Sequence, residues 1–375
     1  MQRADLLPQV NATAGANIQH TPGDVTGTGQ AKTSRLYSVG LGVSSYELDL
    51  FGRVRSLKDQ ALEQFLATEE NRRAVQLSLV AEVATAWLNL AADRERLKLA
   101  KETLENQQEY FRIMKHRFDH GITSALDLYE AKTALDSARV DIASYTAKLA
   151  QSENGLNLVA GGAIPVELLP ETLGNIAAVQ ELAPGLPSDL LFRRPDILQA
   201  EHKLKGANAN IGAARAAFFP KISLTSTVGT ASVKLTDLFQ PGSLAWTFMP
   251  QISVPLFDAG KNLGNLDAAK ADRDIAIAQY EKSIQTAFRE VADALAQRGT
   301  IDDQLAAQQS LVDTTTASNR LSKARYDRGV DSYLPVIISQ RSLYNVQQNL
   351  INVRLSRLNN RVTLYKVLGG GGIVE

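Results

Sequence analysis

Few side chains in this sequence stand where they could do chemistry. His116 and His120 lie four residues apart, a spacing that puts two imidazoles on one helix face where they can share a metal ion. No nearby glutamate completes the metalloprotease pattern, so they read as an exposed pair close to a helix end. Gly27-Thr28-Gly29 is glycine-rich like a phosphate cradle, but no helix pattern follows it, and an external loop is the simpler reading. No glycine loop followed by Lys and Ser or Thr occurs elsewhere. Zero cysteines exclude thiol catalysis, disulfide frameworks and thiolate metal sites. No catalytic, metal or cofactor residue is expected, and the chain does not read as an enzyme.

Charge excludes another class. With 40 Lys and Arg against 40 Asp and Glu, nothing attracts the chain to a phosphate backbone, and no nucleic acid is expected as a partner. No run of 18 apolar residues appears, so no transmembrane helix is expected. Met1 leads straight into Gln2-Arg3-Ala4-Asp5, without a charged-then-apolar leader.

The elements that carry these residues are long. Between Gly52 and Gly121 there is neither Gly nor Pro, and the stretch is rich in Ala, Leu, Glu, Gln and Arg. A helix from Leu57 to Phe118 would span roughly 90 Å. Val83, Leu90, Leu97, Leu104, Phe111 and Phe118 recur every seven residues, a coiled-coil seam. After Gly121 a second helix is expected, with Leu128, Leu135, Ile142, Leu149 and Leu156 as its seam. A tight turn at Asp119-His120-Gly121 makes the two an antiparallel hairpin, with the glycine in the left-handed position that ends helices.

The pattern then repeats. Shifted by 208, Arg117-Phe118-Asp119-His120-Gly121-Ile122 becomes Arg325-Tyr326-Asp327-Arg328-Gly329-Val330, and Gly161-Gly162 becomes Gly369-Gly370. Val336, Leu343, Leu350 and Leu364 carry the seam, with Arg357 as an interruption. The sequence therefore reads as two repeats, 1–162 and 187–375, joined by a linker at 163–186.

Ahead of each hairpin lie two stretches of period-two alternation: 9–19 and 37–44 in the first repeat, Lys221–Thr225 and Leu244–Val254 in the second. Leu244, Trp246, Phe248, Ile252 and Val254 share one face, whereas Gln9, Asn11, Thr13, Gly15, Asn17 and Gln19 form a polar one. Four strands cannot close a barrel alone. Either a helix layer covers the apolar face, giving a soluble long-hairpin scaffold with a small covered sheet, or several chains pool strands into a barrel facing lipid.

One segment is more specific. Leu186-Pro187-Ser188-Asp189-Leu190-Leu191-Phe192-Arg193-Arg194-Pro195-Asp196-Ile197, running on through Ala207-Asn208-Ala209-Asn210-Ile211-Gly212 to Phe218-Phe219-Pro220, closely resembles the outer-membrane factor family, of the TolC and OprM type. Tyr46-Glu47-Leu48-Asp49-Leu50-Phe51-Gly52 and Gln285-Thr286-Ala287-Phe288-Arg289-Glu290-Val291-Ala292-Asp293 resemble it too. The resemblance implies an α+β membrane protein. A homotrimer, with four strands per protomer, would form an outer-membrane β-barrel, continued by a long coiled-coil helical barrel across the periplasm. It implies a passive exit duct for multidrug efflux, docked to a periplasmic adaptor protein and an inner-membrane pump of the resistance-nodulation-division type, with lipid as its surroundings. It places Arg117, Asp119, Gly121, Arg325, Asp327 and Gly329 at adaptor-contacting tips. It places Asp331, Leu334 and Ile338 at a periplasmic constriction, where Ile338 occupies a position that many relatives make acidic, so an apolar gate is expected. About 30 residues of helix precede Pro220 but not the matching Pro8. A truncated chain is therefore expected, whose mature form is a lipoprotein with leader and anchor lying outside this sequence.

Overall fold

The computed structural model describes residues 3–27, 29–175 and 193–370. Expectations that fall on Thr28, on 176–192 (including 186–192 of the family-like segment) and on the glycine-rich tail beyond Gly370 lie outside the described residues. The chain divides into two compact units, Met1–Glu70 with Leu198–Ser283, and Asn71–Ile197 with Ile284–Glu375.

The first unit holds a four-stranded antiparallel sheet. Its strands β1 (Val10–Thr21), β2 (Lys32–Glu47), β3 (Lys221–Ser232) and β4 (Leu244–Ser253) lie side by side in chain order. The alternation seen in sequence becomes a row across the sheet. Ala12 pairs with Leu41, Leu41 with Val228 and Val228 with Trp246, so all four side chains share a face. The next row of that face runs Val10, Val43, Ser226 and Phe248. This face is uncovered: Trp246 is 70% exposed, Phe248 60% and Ile252 67%. The opposite face is small and polar, with Thr13, Gly40, Gly229 and Ala245 in one row. A bulge between Val43 and Tyr46 bends β2 where Ser45 takes a positive φ of 57° and donates its N–H to Thr225 Oγ1 at 3.2 Å.

Beneath the strand ends, Asp49 caps helix α1 (Arg53–Asp119), accepting from the Val54 and Arg55 amides at 3.1 and 2.8 Å. Asp258 does the same for helix α4 (Lys261–Asp327) through Gly260 and Asn262. Helix α3 (Pro195–Ala216) packs on α1 within this unit, with His202 Nδ1 at 2.6 Å from Glu63 Oε2 and Gly212 over Ser56.

The second unit is helical. It holds the remainders of α1 and α4 together with α2 (Ala125–Ala160) and α5 (Leu334–Val367). Helix α5 contributes to every core cluster: Ile351 with Leu88, Ala91, Ala92 and Leu173; Val346 and Leu350 with Val312; Leu364 and Val367 with Ala294; Val336 and Ile337 with Met114 and Ala131. The heptad positions Leu90, Leu135, Leu156, Val336, Leu350 and Leu364 are buried as the seam requires. Arg357, the interruption, pairs with Asp302 at 2.6 Å on the neighbouring helix. Phe118, read as a seam residue, is 39% exposed, because it sits in the last turn before the chain reverses. Arg194 of the family-like segment is buried, bonded to Asp196, Glu290 and the Val367 carbonyl at 2.7–3.0 Å. Its charge and its geometry are thus both satisfied.

One expectation changes. An 18-residue window of α1 is, by length and composition, apolar enough to cross a membrane, where none was expected. Of the apolar residues of α1, Leu88, Ala91 and Ala92 pack in a core cluster, whereas Val75, Leu79 and Val80 are exposed. Gly155 lies inside α2, as the seam running on to Leu156 requires; its Cβ position is open space, and one interior glycine costs only about 1 kcal/mol.

The β2–β3 pairing depends on a close backbone approach. A Cβ on Gly229 would lie 2.1 Å from the Val39 carbonyl oxygen and 2.4 Å from Gly40 Cα. Gly229→Ala is expected to lower stability by about 2–4 kcal/mol, with a fall in the thermal unfolding midpoint in detergent. Gly15→Ala, whose nearest neighbour would be Ser38 Oγ at 3.9 Å, should change it by less than about 1 kcal/mol. Equal midpoints for the two variants would overturn this reading.

Candidate functional site

The candidate residues all lie at the two helix reversals of the second unit. Each reversal closes with the same hydrogen-bond pattern. Gly121 donates to Phe118 O at 2.9 Å and Ile122 to Arg117 O at 2.8 Å; Gly329 donates to Tyr326 O at 2.9 Å and Val330 to Arg325 O at 3.0 Å. Both glycines have φ near +70°, a conformation that disfavours a Cβ, and the paired bonds satisfy the last helix carbonyls.

The helices that follow begin differently. Ser124 caps α2, and Asp127 answers it, accepting from the Ser124 amide and hydroxyl at 3.2 and 2.7 Å and from Thr123 Oγ1 at 2.8 Å. The Ser124 hydrogen bond holds the Asp127 carboxyl below its ordinary range, with burial opposing. Helix α5 has no such box; Pro335 sits at its start, and Tyr333 makes no side-chain cap. An aromatic cluster pins it instead. Tyr333 stacks on Tyr110 with ring centroids 3.6 Å apart and meets Tyr326 edge-on at 5.0 Å.

Only some of the sequence-predicted residues come together. Arg117 reaches from α1 to α4, donating to the Tyr326 hydroxyl and lying over its ring, so the two reversals touch through this pair. Arg325 forms a two-pronged ion pair with Asp331 at 2.5 and 3.0 Å, and its hydrogen bond lowers the Asp331 pKa. Asp119, Asp327, Gly121 and Gly329 are exposed. Leu334 and Ile338 are 47% and 59% exposed, one turn apart on α5, while Val336 and Ile337 between them are in the core. His116 and His120 stack at 4.3 Å; among the described residues no group of three possible metal-ligating side chains exists. Sequence reasoning missed Tyr110, Tyr326, Tyr333 and the Ser124–Asp127 box. Ser124-Ala-Leu-Asp127 carried a capping signal, but nothing in one dimension joined the tyrosines.

A sheet with an uncovered apolar face and long coiled helical hairpins is the architecture of outer-membrane channel proteins. The model of the family described as outer membrane efflux protein matches residues 1–162 and 186–370. The chain belongs to that family. It is 49% identical over 375 residues to the solvent efflux pump outer membrane protein SrpC of Pseudomonas putida, covering all of this chain and 80% of that one. It is 43% identical over 372 residues to outer membrane protein OprJ of Pseudomonas aeruginosa, covering 99% and 78%. Among solved structures, a membrane protein from Pseudomonas aeruginosa matches with a TM-score of 0.94 at 43% identity, covering 99% of this chain and 83% of that one. The open state of the Neisseria gonorrhoeae MtrE outer membrane channel matches with 0.88 at 39%, covering 99% and 82%.

The capping box makes the first reversal pH-dependent. Asp127 has a lowered folded-state pKa, so its contribution is present above about pH 4 and is lost as pH falls through the folded value. Ser124→Ala is expected to cost about 1 kcal/mol and to speed amide exchange at 124–128 at pH 7. Wild-type exchange there should approach that of the variant as the pH falls below the lowered pKa of Asp127. Equal protection in both proteins at pH 7 would rule the box out as a support.

Proposed function

We propose that three copies of this chain pool their strands into a twelve-stranded outer-membrane barrel and their long helices into a periplasmic tunnel. This assembly is the passive exit duct of a tripartite efflux pump. The carrying observation is the row Leu41, Val228, Trp246 on a face with no helix over it, in a sheet whose edge strands β1 and β4 have no further partner among the described strands. Burying each such large side chain is worth about 1.5–3 kcal/mol, and lipid accepts them where water does not. Pairing β1 of one chain with β4 of the next removes both edges.

The reading extends to partners and repeats. An adaptor protein and an inner-membrane pump of the resistance-nodulation-division type supply energy and cargo, and the duct itself catalyses nothing. Relatives named for solvent, toluene and antibiotic efflux support small organic molecules as cargo. The repeats 1–162 and 187–375, with 163–186 between them, are supported by two 67-residue helices whose ends stand 208 apart, Arg53 to Lys261 and Asp119 to Asp327. Arg117, Asp119, Gly121, Arg325, Asp327 and Gly329 form adaptor-contacting tips. Leu334 and Ile338, exposed in one chain, close on their symmetry mates as an apolar constriction, with Asp331 beside them fixed by Arg325.

Subunit counting by mass in detergent should give three chains; a detergent-free monodisperse monomer would defeat the assembly. Leu334→Ala should raise single-channel conductance in a bilayer, and an unchanged conductance would remove Leu334 from the gate. Asp327→Lys should abolish pump-dependent drug export while leaving trimers intact. Arg325→Asp should do so too, but the swap Arg325→Asp with Asp331→Arg restores the ion pair. Export rescued by the swap assigns Arg325 to turn geometry, and export still lost assigns it to docking.

A further inference from the structure

Two of the four histidines stand together at the C-terminal end of α1. His116 and His120 are both exposed, and their rings stack with centroids 4.3 Å apart. His120 donates its Nδ1–H to the His116 carbonyl at 2.8 Å. A carbonyl only accepts, so this bond fixes the tautomer and leaves the His120 Nε2 with a free lone pair. Metal-binding histidines are commonly held in this way, the second ring nitrogen donating to a backbone carbonyl. An ion bonded to two imidazoles at about 2.0–2.1 Å needs their nitrogens no more than about 4 Å apart. Rotation of two exposed side chains brings stacked rings to that spacing with the backbone in place.

The surroundings admit a cation. The end of α1 is the negative pole of a long helix. Of the nearby arginines, Arg112 is held by Glu109 at 2.7 Å and Arg117 by the Tyr326 hydroxyl. Exposed Lys115 and Asp119 flank the pair with opposite charges. Among the described residues no group of three possible ligands forms, so water fills the remaining positions. That donor set decides the ion. Structural zinc takes four protein ligands. Two imidazoles completed by water suit the tetragonal geometry of copper(II) or nickel(II), and copper(II) heads the affinity order.

We propose that His116 and His120 form a copper(II) site at the end of α1, each chelating through one ring nitrogen. The bound ion staples the last turn of α1 ahead of the first reversal. The site stands on one chain's own residues and holds whether or not the chain forms a duct.

Copper(II) chloride titrated into the untagged full chain in detergent should bind saturably at one ion per chain. Its electron paramagnetic resonance spectrum should show coupling to two nitrogens. Joining two donors on one backbone gains about 10²–10⁴ in avidity, so His116→Ala and His120→Ala should each weaken binding at least about 100-fold. Each variant should also lose the two-nitrogen signature. His20→Ala, which removes a ring bonded to Thr33 Oγ1 at 2.9 Å on the sheet, should leave both readouts unchanged. Added copper(II) should slow amide exchange at 117–121 in the wild-type chain. No saturable binding by the wild-type chain would overturn the proposal, as would equal copper affinity in His116→Ala, His120→Ala and His20→Ala.

Discussion

An apolar row that runs across a sheet and meets no other part of its own chain constrains everything else in this protein. Leu41, Val228 and Trp246, flanked by Phe248 and Ile252, expose a surface that water penalises, and no helix of the first unit lies over it. The opposite face is rich in Thr, Ser, Asn and Gly, so the sheet is two-sided, one face apolar and the other mostly small and polar. The chain's membership in the outer membrane efflux protein family gives that sheet its setting. The close pairing at Gly40 and Gly229 then has a purpose: small residues let β2 and β3 approach where the two halves of the chain join into one sheet.

The helical unit answers a different demand. Helices of 67 residues cannot be stabilised by a single compact core, so burial is distributed along their length. Helix α5 is the shared partner, contributing to four separate clusters. Alanines at many contact positions of α1 (Ala81, Ala91, Ala92 and Ala100) permit close helix approach. The two reversals use identical backbone chemistry at their glycines but opposite means of starting the next helix. A hydrogen-bonded box holds α2, whereas stacked tyrosines hold α5. Polar capping is local and stiff. Aromatic packing depends on neighbouring helices staying in place, so the start of α5 is coupled to α1 and α4 in a way the start of α2 is not.

Much of this was legible in one dimension, and the reasons are physical. Long helices announce themselves by the lack of Gly and Pro from Gly52 to Gly121, and strands by alternation at 9–19 and 244–254, because helix and strand periodicities are local. The reversals were readable for the same reason, since a left-handed glycine leaves its mark in sequence. Arg117, Arg325 and Asp331 were singled out there, and the last two are partners of each other, but the partner of Arg117 was not. Arg117 meets Tyr326, which lies 209 positions away, and no local pattern encodes such a meeting.

The sequence by itself determined the elements, their doubled order, the two-faced character of the strands and the family likeness of the segment around Arg194. Those depend on propensity, period and spacing, which are properties of neighbours along the chain. Tertiary structure alone decided that the apolar strand face stays bare, that α5 is the common core helix, and that Tyr110, Tyr326 and Tyr333 converge on one cluster. It also decided that Leu334 and Ile338 point outward while Val336 and Ile337 turn in. Each depends on which distant segments share a surface, and only packing in three dimensions sets that.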